Sequence, residues 1–272
     1  MNRVFRSVCT VVVISLVSSA LNAQAPDNPI ASSTPLANAH AHNDYEHDRP
    51  LLDALDQGFT SIEADVFLVE GQLLVAHNLW DVSKERSLER LYLQPLQERA
   101  TVNNGRVYKD GPTVTLLVDI KANGAAAYAA LHALLAQYDS LVSSTEDARY
   151  IEKAVTVIIS GDRPIREIED SNPRRAGIDG RVADLDSDKP AALLPLISEN
   201  WTSHFRYRGV GSMPEVERKK LHDMVARAHS RGRRIRFWAT PENPVLWKEL
   251  RDSGVDLIGT DELAKLSDFL RS

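Results

Sequence analysis

Two carboxylates, Glu63 and Asp65, stand two positions apart within a largely apolar stretch of the sequence. Residues 59–68 predict a buried β-strand, and side chains two positions apart on a strand lie on the same face. Neighbouring buried carboxylates repel each other and lose hydration, and a bound cation removes both costs. Because both donors are oxygen atoms, the pair favours Mg²⁺ or Ca²⁺ over zinc.

A second strand-like run, residues 114–120, repeats this arrangement with Asp119 and Lys121, which share one face of an apolar strand. In the functional interpretation, Asp119 is a third oxygen ligand and Lys121 is an ammonium group for an anionic substrate. A buried structural ion pair between the two is the alternative. A cation and a lysine together suit a phosphate ester, because both stabilise charge on the non-bridging oxygens.

Three histidines follow strand-like runs. His40 and His42 share one face at the end of the first predicted strand, next to Asn43 and Asp44, and His77 closes a short apolar run. At the carboxyl end of a barrel strand such side chains face the mouth, where active sites lie. Imidazoles can move protons near neutral pH. A lone buried histidine is more often structural, so the interpretation rests on the group formed with the carboxylates.

Further candidates follow the later strands. We expect Trp238 either to form an apolar wall for the alcohol portion of a substrate or to pack in the core, and we expect Glu199 to contact substrate. Asp261 is interpreted as polar support or as a helix cap. The basic cluster in residues 231–236 is interpreted as cations near a helix C terminus.

A regular alternation of strands and helices must position these residues. The predicted strands are 37–42, 60–67, 114–120, 154–160, 178–183, 194–198, 234–238 and 256–260, and the predicted helices are 50–57, 124–138, 163–170, 214–231 and 244–253. Eight strands alternating with helices predict an α/β fold, a single-domain (β/α)₈ TIM barrel. A doubly wound open sheet is the alternative.

One region departs from the alternation. Residues 69–77 predict a tight turn and a short strand that runs back, and residues 78–112 follow as a long charged loop insertion after the second strand. Loops of this length in a barrel cover or line the site, and an ordinary surface insertion is the alternative.

The first 25 residues predict a secretory signal peptide, because Arg3 and Arg6 precede an apolar core and small residues follow it. We therefore expect export to a periplasm or to the outside of the cell. Residues 26–36 predict a flexible leader, and residues 37–272 the barrel domain. The only cysteine, Cys9, lies in the signal, so no disulfide is expected. The net charge of −6 argues against a nucleic-acid partner.

In their order along the chain, these motifs resemble the glycerophosphodiester phosphodiesterases and their relatives in the phosphatidylinositol phospholipase C-like superfamily. The altered inheritance of mitochondria protein 6 subgroup is the most similar. Its opening, His-x-His-Asn-Asp-Tyr followed by Pro-Leu-x-x-Ala-Leu, matches residues 40–45 and 50–55. The other motifs that carry the resemblance are His77, Trp238, Glu63-Ala64-Asp65, Asp119-Ile120-Lys121 and the closing segment 254–261.

The resemblance implies a barrel with its site at the carboxyl ends of the strands and one divalent cation, Mg²⁺ or Ca²⁺. It makes Glu63, Asp65 and Asp119 the cation ligands. It also makes His42 and His77 the acid–base pair and Lys121 a phosphate contact. In related enzymes a hydroxyl of the substrate attacks phosphorus and gives a cyclic phosphate, and water is the other nucleophile.

Two positions depart from the pattern of typical glycerophosphodiester phosphodiesterases. Asn43-Asp44 stands where Arg-Gly is usual after the first histidine, and Asp119 stands where many members have Glu. Asn43 therefore becomes a candidate substrate contact. His40 has no clear counterpart in the broader family, and we interpret it, together with Asp44 and Asp261, as support for the site.

We therefore expect a secreted, metal-dependent phosphoric diester hydrolase that acts on a glycerophosphodiester or a lipid-derived phosphodiester. The expected partners are that small substrate and, transiently, a membrane surface; no obligate protein partner is evident. One alternative is a zinc-dependent amidohydrolase-like or PHP-like barrel hydrolase, because His40-Ala41-His42 matches a first-strand ligand pair, although His204 is the only late histidine candidate. The other is a non-catalytic barrel that binds phosphorylated ligands.

Overall fold

Apolar runs rich in Val, Ile and Leu form most of the strands, because such side chains pack well on a buried pleated surface. The computed structural model describes residues 33–272. Its strands are β1 (Leu36–Ala41), β2 (Phe59–Val69), β3 (Gln72–Val75), β4 (Val114–Ile120), β5 (Ser144–Glu146), β6 (Arg149–Ile151), β7 (Val155–Gly161), β8 (Ala176–Gly180), β9 (Leu196–Asn200), β10 (Arg234–Trp238) and β11 (Leu257–Thr260). Its helices are α1 (Leu52–Asp56), α2 (Gln94–Val102), α3 (Gly124–Gln137), α4 (Ile165–Glu169), α5 (Trp201–His204), α6 (Glu215–Ser230), α7 (Pro244–Asp252) and α8 (Leu263–Arg271).

Parallel strands close into a barrel in the described part of the chain. Their order is β1, β2, β4, β7, β8, β9, β10 and β11, and β1 pairs with both β2 and β11. Because β1 has a neighbour on each side, the sheet has no free edge among these eight strands. The predicted (β/α)₈ TIM barrel is confirmed, and the alternative of an open doubly wound sheet is wrong.

The interior of the barrel changes from apolar to polar toward the carboxyl ends of the strands. A small apolar cluster fills it from four strands, with the members Leu117, Ile158, Leu196 and Leu257. Since side chains alternate along a strand, the residues two positions further on share the interior face. These are Asp119, Ser160, Ser198 and Gly259. The apolar layer therefore forms a floor beneath a polar mouth, which is the usual place for a barrel active site.

The outer core lies between the strands and the surrounding helices. Trp201 and Trp247 are completely buried there, and the rings of Trp201 and Phe205 are stacked with their centroids 4.1 Å apart. Burying aromatic side chains of this size contributes several kcal/mol to stability, about 1.5–3 kcal/mol for each large apolar side chain. This packing fixes the strands whose ends carry the polar residues.

The insertion after the second barrel strand is partly helical. The predicted turn and returning strand are confirmed, because β3 runs antiparallel to β2 with Val75 opposite Val66. The prediction that residues 78–112 are loop is wrong at its centre, where a π-helical turn, Glu89–Leu93, leads directly into α2. Leu88, Tyr92 and Leu96 are buried at helical spacing, so packing against the core stabilises this segment.

Several predicted boundaries shift by one or two residues. Leu36, expected in the flexible leader, is instead the first residue of β1. The predicted strands 178–183 and 194–198 correspond to β8 and β9, which begin two residues earlier and two residues later. The predicted signal peptide and Cys9 lie outside the described residues. Within residues 33–272, no helix combines the length and apolarity that crossing a bilayer requires.

Candidate active site

Three carboxylates from two adjacent strands converge at the barrel mouth. Glu63 and Asp65 lie on the interior face of β2, and Asp119 on β4 is the direct partner of Asp65 in the register between the two strands. One oxygen from each residue lies within 4.8 Å of the other two. Glu63 and Asp65 are buried, and Asp119 is partly buried. The structure thus brings together the three residues that the sequence singled out as ligands.

Glu63 is compensated by two buried nitrogen groups. Arg236 Nη1 lies 2.9 Å from Glu63 Oε2, and His40 Nε2 lies 3.0 Å from the same oxygen. Burial opposes the charged form of Glu63, but Arg236 and the hydrogen bond from His40 outweigh it and hold the pKa of Glu63 well below its usual range. Glu63 is therefore a carboxylate throughout the neutral pH range.

Asp65 uses only one of its two oxygens within the protein. Its Oδ2 lies 2.6 Å from the Tyr45 hydroxyl, 2.7 Å from Lys121 Nζ and 3.2 Å from His77 Nδ1. Its Oδ1 is buried and has no hydrogen-bond partner among the described residues. A buried carboxylate oxygen without a partner is energetically costly. Asp65 Oδ1 therefore indicates a position where a cation could bind.

Asp119 and Lys121 complete this side of the mouth, with Lys121 Nζ 3.4 Å from Asp119 Oδ1. Burial raises the pKa of Asp119 to about 6; Lys121 opposes this rise, and the charges of Asp65 and Glu63 add to it. For Lys121, burial favours the neutral amine, but the hydrogen bond to Asp65 outweighs burial and raises the pKa. Lys121 Nζ lies 2.7 Å from Asp65 Oδ2, so it is closer to Asp65 than to Asp119. The predicted pair of Asp119 and Lys121 is therefore part of a larger network that includes Asp65.

His42 and His77 both face the mouth. His42 Nδ1 lies 2.8 Å from Asp261 Oδ1, across the junction between β1 and β11. Burial opposes protonation of His42, but the hydrogen bond to Asp261 and the charge of Glu63 outweigh it and raise the pKa of His42. His77 Nδ1 lies 3.0 Å from the Tyr45 hydroxyl, and the His77 side chain is half exposed. Each imidazole thus has its Nδ1 oriented by an oxygen group.

A cavity of about 220 Å³ occupies the mouth above the carboxylates. Its lining residues are His42, Asn43, Glu63, His77, Asp119, Lys121, Ser160, Arg181, Arg236 and Trp238. A second cavity of about 230 Å³ adjoins it and shares His42, Arg236 and Trp238. Trp238 is 40% exposed, so the prediction of an apolar wall fits this position better than core packing.

Two of the predicted support residues, His40 and Asp44, do not line the cavity above the carboxylates, although His40 lines the adjoining one. His40 is buried behind Glu63, and burial together with Arg236 lowers the pKa of His40 to about 4, so its imidazole is neutral at pH 7. Asp44 is also buried and accepts hydrogen bonds from the Leu51 N–H at 2.6 Å and the Tyr92 hydroxyl at 2.9 Å. Both residues support the elements that carry the site, whereas Asp261 contacts His42 directly.

Glu199 does not join the other predicted site residues. β9 extends through Asn200, so Glu199 alternates with Ser198 and Asn200 and lies on the outer face of the barrel. Its carboxylate lies 3.7 Å from His204 Nε2 and accepts a hydrogen bond from the Asn200 N–H. The prediction of a substrate contact at Glu199 is therefore wrong, because β9 ends two residues later than expected and Glu199 lies within the strand, on its outward face.

Tyr45 and Arg236 belong to the site although the sequence patterns did not predict them as site residues. The interpretation of Arg236 as a cation near a helix C terminus is wrong, because Arg236 lies on the interior face of β10, is 5% exposed and contacts Glu63. One signal was present, since Arg234, Arg236 and Trp238 alternate in a predicted strand. Tyr45 lies in a short 3₁₀ turn after β1, and no periodic pattern marks it.

A closed parallel barrel with a carboxylate triad, a lysine and two histidines at its mouth agrees with the phosphodiesterase-type fold that the family match shows. Residues 30–178 match the family described as the AIM6-like phosphodiesterase domain, and the chain belongs to this family. Altered inheritance of mitochondria protein 6 from Eremothecium gossypii is 29% identical over 86% of this chain and 69% of that protein. A homologue from Arthroderma benhamiae is 27% identical over 82% of this chain and 81% of that protein.

Two solved structures share the fold. A glycerophosphodiester phosphodiesterase from Parabacteroides distasonis has a TM-score of 0.55 and 16% identity, covering 88% of this chain and 98% of its own. A glycerophosphodiester phosphodiesterase from Agrobacterium tumefaciens has a TM-score of 0.50 and 13% identity, covering 87% of this chain and all of its own. The resemblance drawn from the sequence motifs is confirmed, and these two structures establish the fold alone.

Proposed function

We propose that this protein is a divalent-cation-dependent phosphodiesterase that acts on a small, lipid-derived phosphodiester. The family supplies the phosphodiesterase-type fold, and the triad Glu63, Asp65 and Asp119 supplies the site. The observation that carries the proposal is the buried Asp65 Oδ1, which faces no partner in the described part of the chain although two further carboxylates lie within 4.8 Å.

The donor set of the triad fits a hard cation. Within residues 33–272, the three carboxylates are in direct contact with two permanently charged side chains, Lys121 and Arg236. One negative charge therefore stays uncompensated in a buried site. Carboxylate oxygens are the ligands that Mg²⁺ and Ca²⁺ prefer, so we propose one of these ions with Glu63, Asp65 and Asp119 as its protein ligands.

The zinc alternative finds less support in the donor set. A barrel zinc site needs histidines from later strands in addition to the first-strand pair. Arg181 follows β8 and Asn200 ends β9, and the late candidate His204 contacts Glu199 on the outer face. His40 is already bonded to Ser61 Oγ at 2.8 Å and to Glu63. The arrangement therefore favours an oxygen-ligated cation.

One histidine acts as the general acid and the other as the general base. The Asp261 contact places the Nδ1 proton of His42, and the raised pKa of His42 favours the protonated ring, so His42 Nε2 donates a proton to the leaving alcohol oxygen. The contacts at His77 Nδ1 favour the tautomer with its proton on that atom, so His77 Nε2 accepts the proton of the attacking hydroxyl. That hydroxyl belongs to water or to the substrate itself.

Lys121 holds the phosphoryl group through a charge-assisted hydrogen bond from Nζ to a non-bridging oxygen. When bound, the cation would polarise the phosphoryl oxygens and balance their developing charge. Asn43 Oδ1 lies 2.8 Å from the Tyr45 hydroxyl, so Asn43 faces the same cavity and contacts the polar part of the substrate. Trp238 covers the apolar portion of the alcohol.

Exposed apolar side chains beside the mouth support a lipid-derived substrate. Leu79 and Trp80 follow His77 within three residues, and 82% of Trp80 is exposed. Large aromatic side chains prefer the boundary between water and apolar groups. Transient contact with a membrane surface is therefore part of the proposal. Export is also part of it, and rests on the sequence of residues 1–25 alone.

The test is hydrolysis of a generic aryl phosphodiester by the purified protein with Mg²⁺, with Ca²⁺ and with a chelator. We expect turnover with at least one of the two cations, loss of turnover in chelator and recovery when the cation is added back. Undiminished hydrolysis in chelator contradicts cation dependence. Tight stoichiometric zinc in the active protein supports the zinc hydrolase instead, and phosphate binding without turnover of any diester supports the non-catalytic barrel.

A further inference from the structure

Arg181 lies in the mouth and has no part in the acid–base chemistry described above. It directly follows β8 and lines the same cavity of about 220 Å³ as Lys121 and Asp119. Asp119 on β4 is the register partner of Ser160 on β7, and Ile159 is the register partner of Ile178 on β8. Arg181 therefore stands two strands away from Lys121, around the rim of the cavity.

A buried carboxylate holds one edge of the Arg181 guanidinium. Arg181 Nη1 donates to Asp179 Oδ2 at 2.9 Å and to the carbonyl oxygens of Asp179 and Gly180 at 3.1 and 2.9 Å. The Asp179 side chain is 1% exposed, and its Oδ2 also accepts a hydrogen bond from Ser160 Oγ at 2.8 Å. Ser160, Asp179 and Arg181 thus form one chain of contacts that ends at the cavity.

The other edge of the guanidinium remains available. Every hydrogen bond that Arg181 makes to the described residues through its side chain uses Nη1, which leaves Nε and Nη2 without a protein partner there. The side chain is 29% exposed, so this edge is accessible to a ligand in the cavity. A guanidinium fixed at one edge presents two parallel N–H donors at the other, a geometry that matches two oxygens of a phosphate group.

We propose that Arg181 binds non-bridging oxygens of the phosphate group of the substrate, opposite Lys121, and that Asp179 and Ser160 are positioning residues for it. This inference rests on the proposed function, because it assigns the phosphate group to the cavity above the carboxylate triad. Lys121 supplies a point charge and Arg181 a planar fork, so the two together fix both the position and the orientation of the phosphate. The shared chemistry is a phosphate anion, whether it belongs to a diester or to inorganic phosphate.

The experiment measures binding of inorganic phosphate by calorimetry, with and without Mg²⁺, for the wild type, Arg181→Met and Arg181→Lys. A charge-assisted bidentate contact corresponds to a loss of about 10- to 100-fold in affinity for Arg181→Met. Arg181→Lys keeps the charge but loses the fork, so we expect an intermediate loss. Arg175→Met is the matched control, because Arg175 is paired with Asp139 outside the cavity, and its phosphate affinity should equal that of the wild type.

Wild-type phosphate affinity in a folded Arg181→Met protein overturns the inference, and so does the absence of saturable phosphate binding by the wild type. If Arg181→Met does not fold, the comparison between Arg181→Lys and the wild type decides in the same way. Binding is read without turnover, so an inactive wild type with Arg181-dependent phosphate binding refutes the proposed function and supports this inference. An active wild type whose kcat/KM is unchanged in Arg181→Met supports the proposed function and refutes this inference.

Asp179→Asn tests the positioning role. The amide keeps the size of the side chain but no longer holds Nη1 by charge, so we expect phosphate affinity to fall by about 3- to 10-fold. For a diester substrate we expect KM to rise while kcat changes little, because this interaction is made with substrate and transition state alike. Unchanged phosphate affinity and unchanged KM in a folded Asp179→Asn protein overturn the positioning role.

Discussion

Arg236→Met is expected to destabilise the cation-free protein strongly, because it leaves Glu63 buried without a positively charged side chain in contact. Arg236 Nη1 lies 2.9 Å from Glu63 Oε2, and both side chains are 6% exposed. Removing one partner of a buried ion pair costs about 3–5 kcal/mol. The loss of the hydrogen bond from Arg236 Nε to Ser198 Oγ places the effect in the upper part of this range. For a chain of this length the melting temperature should fall by roughly 8–20 °C.

The assay is urea unfolding followed by circular dichroism, with two comparison variants. Arg234→Met removes the same side chain two residues earlier on β10, where it hydrogen-bonds Thr115 Oγ1 rather than a carboxylate. We expect this control to cost about 1 kcal/mol. The double variant Arg236→Met/Glu63→Gln removes the buried charge together with its partner. It should recover at least half of the stability that Arg236→Met loses.

A free energy of unfolding within about 1 kcal/mol of the wild type for Arg236→Met would contradict this prediction, since a desolvated unpaired carboxylate costs more than that. The absence of any recovery from Glu63→Gln in the Arg236→Met background would contradict it as well. In that case the charge of Glu63 is stabilised by groups other than Arg236.

The remaining predictions concern catalysis and pH. His42→Ala and His77→Ala should each reduce aryl diester turnover by about 10²- to 10⁴-fold with unchanged unfolding transitions, whereas His132→Ala, on the outer helix α3, should retain wild-type turnover; full activity in either site variant would falsify the acid–base assignment. Burial raises the pKa of Asp44 to about 6 from 3.8, so its stabilising contribution relative to Asp44→Asn is fully present below about pH 4. That contribution falls by up to about 3 kcal/mol as the pH rises through 6. A stability difference that does not change between pH 4 and 7.5 contradicts this prediction.

The residues that the sequence predicted best are those on long apolar strands. Glu63, Asp65 and Asp119 interrupt strands whose alternation is clear, so their shared face follows from periodicity alone. The closed barrel adds what periodicity cannot give, the register that places Asp119 directly beside Asp65. The position of the triad was therefore predictable from the alternation of side chains on the two strands together with the closed barrel.

Residues whose partners are distant in sequence were not predictable in the same way. Arg236 contacts Glu63 across 173 positions, and its membership of a run of arginines after a helix concealed its role as the counter-charge of Glu63. Tyr45 reaches Asp65 only because Asn43 adopts a left-handed backbone conformation with φ of 44° and turns the chain. Glu199 was misplaced because β9 ends at Asn200 rather than at Ser198, so Glu199 follows the alternation of the strand and faces outward.

The helical part of the insertion was predictable but concealed by its charged residues. Leu88, Tyr92, Leu96 and Ala100 are spaced by four and are buried in the core, which is a helical pattern. Charged residues between them gave the segment the composition of a loop. Apolar spacing is therefore the better guide in this segment than its content of charged residues.

The cation site formed by Glu63, Asp65 and Asp119 is tested by calorimetric titration of the purified protein with Mg²⁺ and with Ca²⁺, with Asp65→Asn as the ligand variant and Asp261→Asn as the matched control outside the triad. We expect the wild type and Asp261→Asn to bind one equivalent of at least one of these cations, and we expect Asp65→Asn to lose this binding. Equal cation affinity in the wild type and Asp65→Asn, or no saturable binding by the wild type, would show that the triad is not a cation site.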